Sequence, residues 1–226
     1  MKKKLQLSIL IIALIAIIVA SCKKDEEVYA CDPATNEWVK SNLETIQQMN
    51  RQDLLQLEPE KQRPAFIAFT PEQKYNCWVD KLEQVKKLEW TEKEFTHICL
   101  LAETMKLEWF DDNFKKNNLD KIDNFLNQWV NDGMDYFGWT KDELGRMVAC
   151  LKDVEMEDQY VVLKQLPSTE KPVVKPQSRC TCSRTSDWCS WGERCNDPDC
   201  QTRPDGCGTF WMYQCDGLCT AAGTQS

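Results

Sequence analysis

Residues 180–226 read CTCSRTSDWCSWGERCNDPDCQTRPDGCGTFWMYQCDGLCTAAGTQS, eight cysteines in 47 residues with no Val and no Ile. Apart from the cysteines, the apolar side chains are Trp188, Trp191, Phe210, Trp211, Met212, Tyr213, Leu218, Ala221 and Ala222. A segment this short with so little aliphatic surface does not hold itself together by burial alone, and small scaffolds add covalent cross-links. Successive cysteines are separated by 1, 6, 5, 4, 6, 7 and 3 residues, with no Cys-x-x-Cys pair and no His. Structural zinc sites favour the short two-residue gap, so no metal is expected and disulfides are. Cys180, Cys182, Cys189, Cys195, Cys200, Cys207, Cys215 and Cys219 should close four bridges worth about 2–4 kcal/mol each; spacing leaves their connectivity open. Trp188, Trp191, Trp211 and Tyr213 are the candidates for binding a lipid interface or a receptor, with a core role as the alternative for at least two of them.

Disulfides require an oxidising compartment, and the N-terminus supplies the route to one. Lys2, Lys3 and Lys4 precede an unbroken apolar run at residues 9–20, which ends in Val19-Ala20-Ser21-Cys22. A membrane span needs about 20 apolar residues; the shorter run fits a cleaved signal peptide at residues 1–21. The pattern resembles the lipobox of bacterial lipoproteins, which implies lipidation of Cys22 as the first mature residue and membrane attachment through that lipid. Residues 22–33 then form a tether whose run Lys23-Lys24-Asp25-Glu26-Glu27 resembles the surface-export signal of some lipoproteins. An outer-membrane lipoprotein displayed at the cell surface is the expected location.

Residues 34–165 carry a different pattern. Tyr75, Trp78, Val79, Leu82 and Val85 recur at helical spacing, as do Leu119, Ile122, Leu126 and Trp129, and then Leu144, Met147, Val148 and Leu151. Thr70 with Gln73, Thr91 with Glu94, and Thr140 with Glu143 have capping-box spacing. The expected fold is one all-helical domain of five to seven helices, joined by a Pro-rich linker at residues 166–179 to the disulfide-rich module at 180–226. Cys31, Cys77, Cys99 and Cys150, an even set in an exported chain, are expected to form two further disulfides. The signature Trp90-Thr91-Glu92-Lys93-Glu94 recurs as Trp139-Thr140-Lys141-Asp142-Glu143, through duplication of a helical hairpin or through repeated capping chemistry.

Few residues offer catalysis. His97 is the single histidine, and His97-Ile98-Cys99 puts His97 and Cys99 on different sides of one helix. No glycine-rich phosphate loop is present. The chain is therefore expected to be no enzyme and to need no cofactor. Its net charge of −8 includes no basic patch, which argues against a nucleic-acid partner.

The run Cys180-Thr181-Cys182-Ser183 with Ser186-Asp187-Trp188-Cys189 resembles the opening of the fulvocin C family of small disulfide-rich bacteriocins. Pro204-Asp205-Gly206-Cys207-Gly208-Thr209, followed by Trp211 and Tyr213, resembles a later segment of that family. The end departs from it, with three residues between Cys215 and Cys219 where the family has a tighter pair. The resemblance covers only the tail. It implies a bacteriocin-related module that the helical domain presents, or releases by cleavage near Lys175 or Arg179, against a target-cell membrane or surface receptor. The alternative is a non-toxic surface lipoprotein with a docking tail. The anchor is testable directly: Cys22 should carry acyl groups by mass spectrometry, and a Cys22→Ser chain should leave the membrane fraction.

Overall fold

The computed structural model describes residues 27–164, 180–190, 192–197 and 199–221; the signal segment with Cys22, the linker and Trp191 lie outside the described residues. Among the described residues there are eight α-helices: α1 Pro33–Ser41, α2 Leu43–Ile46, α3 Arg51–Gln56, α4 Pro59–Ile67, α5 Pro71–Lys86, α6 Glu92–Thr104, α7 Asp112–Phe137 and α8 Lys141–Val148. The count exceeds the expected five to seven because Asn42 and Asn50 divide the first stretch into the short α2 and α3, Asn50 as the N-cap of α3. Thr70, Thr91 and Thr140 each accept from the backbone N–H three residues on, and Gln73, Glu94 and Glu143 answer them, so all three capping boxes form. Part of the stretch 22–33 expected as a tether packs onto the helices. Tyr29 and Ala30 are already buried, their backbone N–H groups donating to Asn36.

The apolar faces meet in one core. Trp78, Leu82 and Val85 of α5, Ile98 and Leu101 of α6, Ile122, Leu126 and Trp129 of α7, and Leu144, Met147 and Val148 of α8 are all buried. Each such side chain contributes about 1.5–3 kcal/mol relative to exposure. The two recurring signatures come together here: the Trp90 and Trp139 rings lie 5.4 Å apart, and Trp139 Nε1 donates to Glu94 at 3.1 Å. His97 is part of the same core. Its ring stacks 4.9 Å from that of Trp129, and Nε2 lies 2.9 Å from the Trp129 carbonyl, which makes Nε2 the protonated nitrogen.

The domain is not all-helical. After α8 an antiparallel hairpin forms from β1 (Val154–Glu157) and β2 (Tyr160–Leu163), with Val154 opposite Leu163. Asp158 and Gln159 both have positive φ, 48° and 72°, the left-handed pair that a two-residue hairpin turn demands. Val154 and Met156 alternate with Glu155 and Glu157, and that period of two places Val154 in the core. Two buried basic side chains hold the chain entering the hairpin. Arg51 Nε donates to the Leu151 carbonyl at 2.8 Å and its guanidinium pairs with Asp80 and Asp153; Lys81 Nζ donates to the Lys152 carbonyl at 2.5 Å.

Among the described residues, Cys77, Cys99 and Cys150 are not joined in the disulfides expected of the helical region. None of the four bridges among the described residues involves Cys31, Cys77, Cys99 or Cys150. Cys77 is buried beside Arg51 and Asp80, Cys99 lies near Lys86, Cys150 lies near Lys81, and Cys31 turns its sulfur toward the Thr202 carbonyl at 3.4 Å. The helices give each sulfur different neighbours. Burial pushes the Cys77 thiol up to about 12, which leaves it a small apolar side chain.

The tail forms two ribbons, β3 (Glu193–Asn196) with β6 (Leu218–Ala221) and β4 (Arg203–Cys207) with β5 (Tyr213–Cys215). Bridges join Cys180 to Cys200, Cys182 to Cys195, Cys189 to Cys219 and Cys207 to Cys215. The tail is not a separately packed module: Phe210, Trp211, Met212 and Tyr213 belong to the same apolar cluster as the helices.

Lys81 gives the fold a pH signature. Burial above all lowers its pKa from 10.5 to about 7, with Cys150 opposing and Arg51 adding to the shift. Between those values the unfolded chain binds more protons than the native one, so stability rises with pH. Cys77, raised in the fold, acts in the opposite sense above its ordinary 9.0. Between pH 7 and 9, stability from urea unfolding should rise by about 2–3 kcal/mol on account of Lys81. Lys81→Met should abolish that rise; an unchanged slope would assign the proton to another group.

Candidate functional site

The seam between tail and helical body is built around Gly208-Thr209-Phe210-Trp211-Met212-Tyr213. Gly208 has φ +70°, and a Cβ there would stand 2.6 Å from the Tyr213 ring and 2.7 Å from Ser186 Cβ, so only glycine fits. Phe210 and Trp211 follow with φ of 53° each. Bulky residues in that region cost of order 1–3 kcal/mol apiece and persist only where packing over-determines them. The packing is here. Phe210 is fully buried, with its ring 5.1 Å from that of Trp78, and Trp211 meets Phe66 edge-on at 5.2 Å.

Polar groups of the body complete this knuckle. Trp211 Nε1 donates to the Ala149 carbonyl at 2.9 Å, Lys115 Nζ donates to the Met212 carbonyl at 3.2 Å, and the Tyr213 hydroxyl donates to Asp123. Burial, then that bond and the Asp123 charge, pushes the Tyr213 phenol far up; burial likewise raises the Asp123 carboxyl. Arg63 donates to the Thr181 carbonyl at 3.0 Å and lies over the Trp211 ring, 5.4 Å from its centroid. Burial, and then the charge of Arg203, lower its pKa to about 10, so it stays cationic at neutral pH.

Of the proposed binding residues, Trp211 and Tyr213 are therefore core, and their core is that of the body. Trp188 is half-buried: its Nε1 donates to Thr209 Oγ1 at 3.0 Å, and its ring packs where a Cβ on Gly145 of α8 would stand 3.2 Å away. The rest of its motif ties chains together. Ser186 Oγ accepts from Thr209 N at 2.9 Å, while Asp187 accepts from the N–H groups of Cys189 and Cys195 and pairs with Lys141 at 3.4 Å. Trp188 also lines a cleft of about 160 Å³ at the seam, facing Leu126, Val130 and Met134 of α7, with Asp123 and Lys141 as polar members. Arg63, Lys115, Asp123 and Gly145 carried no motif. Gly145 alone left a signal, since glycine inside a helix costs about 1 kcal/mol relative to Ala and implies a close neighbour.

Among the described residues, one group of cysteine, histidine or acidic side chains has metal-ligand spacing: Cys182, Cys189 and Cys195, with sulfurs within 4.8 Å of one another. All three are spent in disulfides, whereas a metal takes thiolates. No protein-family model matches the chain, and no curated protein or solved structure is significantly similar to it.

A shared core means shared unfolding. Trp211→Ala should cost about 3–5 kcal/mol, and far-UV helical signal and near-UV tail signal should be lost together in one urea transition. Two separate transitions in the parent chain would show that tail and body fold apart.

Proposed function

We propose that the protein is an exported, lipid-anchored surface protein that acts by binding, with its cysteine-rich tail as a docked arm of the helical body. The anchor rests on Val19-Ala20-Ser21-Cys22, which makes the membrane its first partner through the lipid on Cys22. Four large side chains of the tail packed into the body carry the docked-arm reading: Phe210, Trp211, Met212 and Tyr213 retain 0 to 6% exposure. An aromatic surface meant for a foreign membrane would have to leave that site first and re-expose apolar area on both sides of the seam. The surface left for a ligand is the seam cleft, where the half-buried indole of Trp188 faces an aliphatic stripe and polar groups stand nearby. At about 160 Å³ the cleft is smaller than the usual small-ligand pocket of about 300–1,000 Å³ and has room for one side chain of a partner or a fragment of that size.

A second reading follows from the fulvocin C resemblance of Ser186-Asp187-Trp188-Cys189 and Gly206-Cys207-Gly208-Thr209, with Lys175 and Arg179 in the linker for cleavage. There the helical body masks the aromatic knuckle of a bacteriocin-related tail until release. The two readings separate when a specific protease site is placed in the linker of the full chain and cut under oxidising conditions. A docked arm co-elutes with the body on gel filtration and leaves related strains unaffected. A tail that departs after the cut and inhibits their growth overturns the docked-arm reading in favour of release.

A further inference from the structure

The tail bridges are not independent of one another. Cys189 Sγ lies within 4.8 Å of both sulfurs of the neighbouring Cys182–Cys195 bridge. Cys195 and Cys219 are direct partners in the β3–β6 register, yet each is bonded elsewhere, Cys195 to Cys182 and Cys219 to Cys189. Facing residues of an antiparallel pair have Cα atoms about 4.5–5.5 Å apart, inside the range of about 4.4–6.8 Å that a disulfide spans. The sulfurs of Cys182 and Cys189, within 4.8 Å, and the facing pair Cys195 and Cys219 therefore offer a second pairing of the same four residues. Each bridge also joins one buried cysteine, Cys182 or Cys189, to one only partly buried, Cys195 or Cys219.

We infer that Cys182, Cys189, Cys195 and Cys219 form a thiol-exchange site that reacts with a low-molecular-weight thiol and switches between two disulfide pairings. The external thiolate attacks Cys219 Sγ, breaks its bond to Cys189 and leaves Cys189 as a thiolate. Cys189 attacks Cys182 Sγ, forming the Cys182–Cys189 bond and expelling Cys195 as a thiolate. Cys195 then attacks Cys219 Sγ in its mixed disulfide with the external thiol, forms the cross-strand bond and returns that thiolate. The thiol is regenerated and the sequence is redox-neutral.

The Ser186-Asp187-Trp188-Cys189 motif sits at the centre of this chemistry. Asp187 accepts from the N–H of both Cys189 and Cys195, at 2.8 and 3.1 Å, and so holds the two bridges side by side. In the present pairing two disulfides tie the Trp188 loop to the β3–β6 ribbon. In the second pairing the loop closes on itself and the ribbon on itself, leaving Cys180–Cys200 as the loop's remaining bridge to the rest of the tail. Exchange would thus loosen the loop that carries Trp188 against Gly145 and along the cleft.

The test uses the intact oxidised chain in a buffer of reduced and oxidised glutathione, followed by acid quenching, alkylation and digestion at Arg184, Arg194 and before Asp197 and Asp216. Cys180 and Cys182 share the peptide 180–184, so mass spectrometry should show peptide 195–196 leaving the assembly of 180–184 with the Cys200 peptide and joining 216–226, while 185–194 leaves 216–226 and joins that assembly. The Cys180–Cys200 and Cys207–Cys215 links should be present in both forms. Native pairs alone, native pairs lost only to full reduction, or non-native pairs spread across all eight cysteines would each overturn the inference. A Cys219→Ser chain tests the same step without added thiol: alkylation should label both Cys189 and Cys195, as two pairing forms, whereas label on Cys189 alone would also overturn it.

Discussion

Phe210 and Trp211 adopt a backbone conformation that bulky residues avoid, and the rest of the molecule is arranged so that they can keep it. Gly208 supplies the turn, Trp78 and Phe66 supply the faces, and Ala149 supplies the acceptor for the Trp211 indole. Trp78 is present for its ring: it is wholly buried, and its own N–H has no acceptor among the described residues. An unmet buried donor costs about 1–3 kcal/mol, so the contact with Phe210 and Trp211 must outweigh that loss as well as the strain. Strain, an orphaned donor and dense aromatic packing fall at one place. They mark the knuckle as the position where the two halves of the chain are fitted to each other.

The next turn of α5 follows other physics. Arg51 and Lys81 bring positive charge under the loop between α8 and the hairpin, and both donate to backbone carbonyls there. Arg51 has carboxylates beside it; Lys81 is held mainly by one carbonyl, with the Asp153 charge acting from nearby, and its lowered pKa reflects that burial. A buried cation adds little net stability, but taking away what it binds is expensive, so these residues fix where the chain leaves α8. That exit aims the hairpin back onto the helices, and it sets Ala149 where its carbonyl meets Trp211. The polar clamp and the aromatic knuckle thus act on neighbouring turns of the same segment.

Much of the body was legible because its information is local. Thr70, Thr91 and Thr140 announce helix starts by chemistry confined to four residues, and the stripe Leu144, Met147, Val148 and Leu151 is buried throughout, as its spacing requires. Other features escaped for identifiable reasons. The hairpin lay in the alternation of Val154 and Met156 with glutamates, but its turn residues Asp158 and Gln159 lack the glycine that usually announces such a turn. Cysteine count and an oxidising route gave no way to distinguish Cys77, sealed in a core, from Cys189, which has a partner. The largest gap was the seam. Aromatic residues in a short segment look the same whether they make their own core or complete another, since side-chain chemistry does not say what covers it. The helical body also showed no vacancy in its pattern, because a socket is the sum of distant residues such as Phe66, Trp78 and Asp123.

Covalent and non-covalent forces divide the tail between them. Among the described residues, the four bridges join tail to tail and none crosses the seam. Attachment to the body comes from burial, from hydrogen bonds of Arg63, Lys115, Trp211 and Tyr213, and from the Lys141–Asp187 pair. The Cys207–Cys215 bridge clasps the two ends of the knuckle, and Phe210 and Trp211 stand between them in their strained conformation. A loop so short gains only modest entropic stability from its clasp, so the greater effect of the bridge is to keep the aromatic pair presented. Oxidation of one small loop therefore conditions the packing of Trp78 and Phe66, residues more than a hundred positions away in sequence. Through that route the redox chemistry of the tail reaches the centre of the helical body.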